Sequence, residues 1–265
     1  AGTLIEVHEH ERNRGVAAAR NTGISVCNHE LVALLDSDDV WLPNHLETLW
    51  EAMSASNAKV VQSRERWFRK GRRVNPKQYH LPPQGDIFEP SLARCLVSSS
   101  AVLFEKALFE AVGRYDPRLP ACEDYDLWLR MALVADFGLA DQETIEKDGG
   151  RSDQLSLRYW GMDRFRVFAL VKLLDEALTD GQAELVEETA LGKLEVLHAG
   201  AAKRGKVEDA EGYARWVDAI RRRDRTARGC SDRQTMSLPG ALENAGFDWV
   251  RRADDPILSA LREAE

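Results

Sequence analysis

The stretch Leu31-Val32-Ala33-Leu34-Leu35-Asp36-Ser37-Asp38-Asp39 constrains the fold more than any other: five apolar residues run straight into three carboxylates within four positions. So short an apolar run, ended by polar residues, reads as a strand over 31–35 buried on both faces. In open α/β sheets, ligands gather at the carboxyl ends of such strands. Side chains two apart on an extended strand share a face, so Asp36 and Asp38 are expected to project together and Asp39 elsewhere. Two carboxylates held close repel unless a proton or a cation intervenes. At neutral pH a hard divalent cation with oxygen ligands, still carrying waters or substrate phosphates, suits that role. The competing reading is a solvated acidic turn that caps the next helix.

The rest of the chain alternates strand and helix patterns. Thr3–His8 reads as a strand, Val16–Cys27 as a short helix after an Asn13-Arg14-Gly15 turn, and Leu46, Leu49, Trp50 and Met53 as the stripe of a helix opened by Pro43. Val60–Phe68 suits a strand ending at a Lys70-Gly71 turn, and 72–87, with three prolines and a glycine, an irregular excursion. Phe88–Arg94 reads as a short helix, Leu96–Phe104 as a buried strand, and Glu105–Val112 as a helix closed by Gly113. A second acidic station follows, Glu123-Asp124-Tyr125-Asp126, at the start of a helix carrying Leu127, Met131 and Val134 inward; Ala135–Ile145 returns as a strand. By itself the Glu123–Asp124 pair is also what helix capping asks for. Beyond Gly149-Gly150, residues 160–225 show helical spacing punctuated by Gly181 and Gly205, 226–240 has linker composition, and a last helix is expected over 254–264. The expected organisation is therefore an α/β domain over 1–150, a helical extension over 151–225, and a linker with terminal helix over 226–265.

Charge excludes some partners. With 36 basic against 44 acidic residues the net charge is −8, which argues against bulk attraction to nucleic acid or an anionic membrane. No apolar run approaches the ~20 residues that span a bilayer. The four cysteines stand far apart, with no zinc-ligand spacing, so reduced thiols in a cytoplasmic protein are the simplest account. The six histidines show no mutual spacing that commits them to a site.

Taken together, the motifs have a recognisable order. Asn13-x-Gly15, Ala19-Arg20-Asn21-x-Gly23, Leu35-Asp36-Ser37-Asp38-Asp39-x-Trp41-x-Pro43, Val112-Gly113-x-Tyr115-Asp116 and Glu123-Asp124-Tyr125-Asp126-Leu127-Trp128-Leu129-Arg130 resemble the family 2 glycosyltransferases over residues 1 to about 150. The stretch from Gly149 to Trp160 resembles a tail found in one branch of that family. The resemblance implies a Rossmann-like GT-A sandwich. It implies inverting transfer of a sugar from a nucleotide diphosphate-sugar donor to a glycan or other acceptor hydroxyl, of the kind used in surface-polysaccharide synthesis. The resemblance also implies Mg²⁺ or Mn²⁺ held against the diphosphate; on that pattern Asp38 is the main metal ligand, and Asp36 contacts the nucleoside ribose or shares the metal. Asp124 is the general base, with Glu123 as its neighbour or substitute. Arg20 either faces the nucleotide phosphates or sits in an ion pair, and Trp41 and Trp128 are packing residues rather than sugar platforms. Family members usually open with two further strands that grip the base; this sequence starts after both. A second expectation is therefore a catalytically inactive, truncated transferase domain acting as a binding or scaffold module. A metal-dependent phosphohydrolase is a third. Acceptor choice is expected in the 72–87 segment and the helical tail, since loops on a rigid scaffold carry specificity.

Overall fold

In the computed structural model, residues 5–75, 81–149, 159 and 161–227 are described. The chain divides into two compact units, residues 1–154 and 155–265.

The first unit is a mixed sheet with helices packed on it. In chain order it comprises α1 (Gly15–Val26), β1 (Leu31–Ala33), β2 (Asp39–Trp41), α2 (His45–Ser56), β3 (Val60–Arg69), β4 (Arg72–Val74), α3 (Phe88–Leu92), a 3₁₀ turn at Ser99–Ala101, β5 (Val102–Glu105), α4 (Lys106–Ala111), α5 (Glu123–Ala132) and β6 (Phe137–Asp148). The strand order is β1-β5-β3-β6-β2, with β4 hairpinned onto β3. Among the described strands only β3 and β6 run parallel; the other pairings are antiparallel. The two parallel strands approach closely where Gly138 faces Val61, since a Cβ there would come within 2.8 Å of the valine Cγ2. Leu49, Met53, Val61, Leu103 and Ala140 form a core cluster between α2 and the sheet.

Several expectations are corrected. The described part of Thr3–His8, residues 5–8, is not a strand, and Ile5 and Val7 are exposed. β1 ends at Ala33 and lies at the sheet edge; of its residues only Val32 is fully buried, and Leu35 is exposed. Pro43 precedes α2 rather than opening it; Asn44 is the N-cap. The α2 stripe divides, because Leu49 and Met53 enter the core while Leu46 and Trp50 turn to an open groove of about 1120 Å³ beside Leu31, Leu34 and Leu35. An edge strand gives the apolar side of α2 less sheet to cover. The Leu96–Phe104 run begins as loop and becomes a strand only at Val102, because its serines bond outward instead of joining a ladder. Residues 72–74 pair as β4 through a turn with Lys70 and Gly71 at positive φ. The remaining elements through β6 fall within a few residues of their expected places.

The second unit contains α6 (Asp163–Leu173), α7 (Asp180–Lys203) and α8 (Val207–Ala227). Each packs on the next. Thr179, not Gly181, begins α7: its hydroxyl accepts from the Gln182 N–H at 3.2 Å, and the Gln182 side chain accepts from the Thr179 N–H at 3.0 Å, a reciprocal capping box. Val186, Ala190, Leu194, Leu197 and Ala201 form the buried stripe of α7, facing partners that include Tyr213, Trp216 and Ile220 of α8 by spacing. The expected tail from 150 to 160 lies outside the described residues except Tyr159. So do the 226–240 linker, save its first two residues, and the 254–264 helix. No helix among the described residues is long and apolar enough to cross a membrane.

Candidate active site

The site is assembled where the acidic turn after β1 meets the first turn of α5. The strand stops early, and Asp36–Asp39 close a β-turn with the Asp39 N–H bonding the Asp36 carbonyl at 3.1 Å. Alternation therefore does not govern the three carboxylates. Ser100 Oγ accepts from the Asp36 N–H at 3.0 Å, and the Ser100 carbonyl accepts from Trp41 Nε1 at 2.8 Å, so the serine loop braces the turn. Trp41 also stacks on His45, with ring centroids 4.6 Å apart, and Trp128 packs edge-on to Phe104 in the core. Both tryptophans are packing residues.

Asp36 and Asp124 line one cleft of about 300 Å³, with Glu65, Trp67, Arg94, Cys95, Ser98 and Lys147 on its walls. The two acidic stations thus share a cavity although 88 positions separate them. Asp38 is half-buried on the same turn but is not among the residues that line the cleft. Asp124 sits in the first turn of α5, where the helix dipole favours a carboxylate. It accepts from the Tyr125 N–H at 2.7 Å and from the Cys95 thiol at 3.6 Å. Glu123, beside it, is 4% exposed. Burial, and then the Asp124 charge, push the Glu123 carboxyl up to about 7 against the pull of Arg20.

Arg20 joins the stations. Its Nη1 donates to Glu123 at 2.8 Å and its Nη2 to Asp36 at 2.6 Å, while the guanidinium lies 5.4 Å from the centroid of the Tyr115 ring. Of the two roles left open for Arg20, this is the ion pair. Burial works against its charge, but Tyr115, Asp36 and Glu123 together hold its pKa above the ordinary value. The adjacent Asn21 fastens Tyr115 from both sides, donating to its carbonyl at 2.9 Å and accepting its N–H at 3.1 Å. The Arg20-Asn21 and Tyr115-Asp116 motifs are therefore two halves of one contact. Arg130 has a comparable task at the far end of α5. It pairs with Asp126 at 2.5 Å, donates to the Arg114 carbonyl at 2.7 Å and also bonds the Val112 carbonyl, pinning the turn where Gly113 and Arg114 adopt positive φ.

Reading the sequence did not reveal the opposite wall. Lys147, near the end of β6, donates to Ser98 Oγ at 2.8 Å and forms ion pairs with Asp39 at 3.2 Å and Glu65 at 3.5 Å. Burial pulls the lysine pKa down, yet Glu65 and Asp39 prevail and leave it raised. Asp39 is itself pushed up, by burial first, with Lys147 opposing. A single lysine in a charged strand gives no spacing signal, and Asp39 reads as one more member of an acidic turn.

Asp36 and Asp38 fit a partly hydrated cation better than an all-protein cage. One Asp36 oxygen is engaged by Arg20, Asp38 makes no hydrogen bond or ion pair among the described residues, and those residues contain no cluster of three or more His, Cys, Asp or Glu able to hold a metal alone. Such a donor set leaves most positions to water and substrate phosphate, as Mg²⁺ prefers.

Fold and site together define an α/β domain with two carboxylate stations at a common cleft. Residues 2–113 match the family described as "Glycosyl transferase family 2". Over 122 residues the chain is 31% identical to "Amylovoran biosynthesis glycosyltransferase AmsE" of Erwinia amylovora, covering 46% of this chain and 45% of that one. It is 32% identical over 123 residues to the "UDP-Gal:alpha-D-GlcNAc-diphosphoundecaprenol beta-1,3-galactosyltransferase" of Escherichia coli, covering 45% and 44%. The chain thus spans less than half the length of these relatives. The solved structure of S. aureus TarS 1–349 with UDP-GlcNAc superposes with a TM-score of 0.58 at 13% identity, covering 82% of this chain and 75% of that one, which shows a shared fold. The match to glycosyl transferase family 2 thus falls within the amino-terminal unit, over residues 2–113.

Proposed function

We propose that this protein transfers a sugar, with inversion, from a uridine diphosphate-sugar to an acceptor hydroxyl in polysaccharide synthesis. The observation that carries the reading is the shared cleft: Asp36 of the donor-side turn and Asp124 of the α5 start line one cavity. The uridine donor is supported by the UDP and UDP-GlcNAc complexes of TarS and by the UDP-Gal donor named for the E. coli relative. The polysaccharide role is supported by AmsE, named for amylovoran biosynthesis.

Asp38 and Asp36 would hold Mg²⁺ or Mn²⁺, which when bound supplies positive charge for the departing diphosphate. The protein's own residues do the rest. Asp124 takes the acceptor O–H proton as the oxygen attacks the anomeric carbon. The C–O bond to the diphosphate breaks, and its electron pair leaves on the nucleotide. The sugar passes through an oxocarbenium-like state, as in glycoside hydrolysis. Attack from the face opposite the leaving group inverts the anomeric centre. Glu123 sits beside the base with its carboxyl pushed up to about 7, chiefly by burial, while Arg20 fixes the spacing of the two stations.

Replacing Asp124 by Asn tests the assignment. Sugar transfer from UDP-sugars should fall at least about 100-fold, the range of a lost general base, while UDP binding with Mn²⁺, read by calorimetry, persists. Undiminished transfer would overturn Asp124 as the base. A folded wild-type chain that binds no UDP would favour the scaffold alternative.

A further inference from the structure

The transferase reading gives Asp124 a proton to remove but leaves open what holds the acceptor against it. Three residues on the same cleft answer that without belonging to either acidic station. Trp67 on β3 lines the cavity together with Glu65 and Lys147. Its ring is held rather than loose. Nε1–H donates to Glu65 Oε2 at 2.9 Å, Lys147 Nζ lies 5.6 Å from the ring centroid, and Gly149 backs the six-membered ring so closely that a Cβ there would sit 3.3 Å from Cε3 and Cζ3. Glu65 meanwhile meets the lysine with its other oxygen at 3.5 Å. The result is an indole, a carboxylate and an ammonium tied into one group on the wall of the cavity that contains Asp124.

That chemistry selects a class of ligand. A ring with apolar C–H faces and hydroxyls around its rim matches an aromatic surface flanked by a fixed carboxylate acceptor, which the lysine holds in place. An anionic ligand is disfavoured, because the wall carries Asp36, Glu65 and Asp124 against Arg94 and Lys147, and Lys147 is already paired with Asp39 and Glu65. Pro82 closes the cavity from the segment after β4, and the Gln62 side chain holds that segment by donating to the Pro83 carbonyl at 2.7 Å. We infer that Trp67, Glu65 and Lys147 form the acceptor subsite, and that it takes a neutral saccharide ring whose reacting hydroxyl is thereby presented to Asp124. The inference rests on the transferase reading for its direction, but it is separately testable.

The probes are p-nitrophenyl glycosides of glucose, galactose, N-acetylglucosamine, N-acetylgalactosamine and glucuronic acid, with binding to the full chain followed by saturation-transfer NMR. At least one neutral glycoside should bind the wild type. Trp67→Ala and Glu65→Gln should each weaken it at least about tenfold, with Trp67→Phe intermediate because it keeps the ring and loses the N–H. UDP affinity in Mn²⁺ should stay within about twofold in all three variants. Thermal melting of each variant establishes that it is folded, and Glu65→Gln, nearly isosteric, remains informative if Trp67→Ala is not. The inference is overturned if no neutral glycoside binds, if binding survives unchanged in folded Trp67→Ala and Glu65→Gln, or if the glucuronide binds better than its neutral counterpart. A wild-type chain that binds the glycoside through Trp67 but binds no UDP would keep the subsite and remove the transferase reading.

Discussion

Replacing Glu123 by Gln should make the protein less sensitive to pH, and the effect can be worked from the geometry. Glu123 is 4% exposed, next to Asp124, with Arg20 as its counter-ion at 2.8 Å. Its carboxyl is pushed from 4.5 up to about 7, by burial first and by Asp124 second. Between those values the folded protein holds a proton that the unfolded chain has released. Stability therefore falls as pH rises from 4.5 to about 7 and levels off above. At about 1.4 kcal/mol per pH unit, the loss amounts to roughly 3 kcal/mol. Glutamine keeps the shape and an acceptor for Arg20 but has nothing to ionise, so it should match the wild type at pH 4.5 and exceed it by up to that amount at pH 8. Other groups titrate too, and His45 has the opposite sign, so the quantity to read is the difference between variant and wild type. Urea unfolding in EDTA at pH 4.5, 6 and 8 supplies it. A difference that does not grow with pH, or that grows in favour of the wild type, would refute the account of Glu123 as a carboxyl whose pKa burial and Asp124 raise.

Three further outcomes follow from the same contacts. His45 is buried with Nδ1 at 2.7 Å from Thr144 Oγ1, and burial lowers its pKa to about 4; its contribution is present above 6.5 and lost as pH falls toward 4. His45→Gln should remove on the order of 3 kcal/mol of the acid-side loss in urea melts compared at pH 7.5 and 4.5. Arg130→Met strands the buried Asp126 and frees the 112–114 turn, so it should cost about 3–5 kcal/mol by urea unfolding, whereas a change under about 1 kcal/mol would deny the clamp. Chelation by EDTA and Asp38→Ala should each weaken UDP binding at least about tenfold by calorimetry, and metal-independent binding in the variant would remove Asp38 from the site.

How much could be read in advance depended on whether a feature was local. Helices such as α5 and the continuous apolar start of β3 declare themselves within a few residues, and the two acidic stations stand out by composition, although Val134, read as part of the inward face of α5, lies past its end and is exposed. What failed depended on long-range context. Leu31–Leu35 reads as a doubly buried strand, yet pairing on one side only leaves it a three-residue edge. Leu46 and Trp50 carry the right period for a core that, at that position, the sheet does not extend to cover. Serines 98–100 could not be told from a strand because their partners, Asp36, Trp41 and Lys147, come from remote segments. Arg20 could be placed on the polar side of α1 but not tied to Asp36 and Glu123, since the latter lies 103 residues away. The Lys147–Glu65–Trp67 wall has no motif at all; parallel pairing of β3 with β6, through a register shift near Arg64, puts it together.

The anomeric configuration of the product decides most directly whether proton removal at Asp124 accompanies a single displacement. Transfer from an α-linked UDP-sugar to a glycoside acceptor, followed by the ¹H coupling across the new anomeric bond, should show the β configuration from the first turnover. An α-linked product would require a second displacement or a front-face path, and would contradict the assignment of one base and one donor station to this cleft.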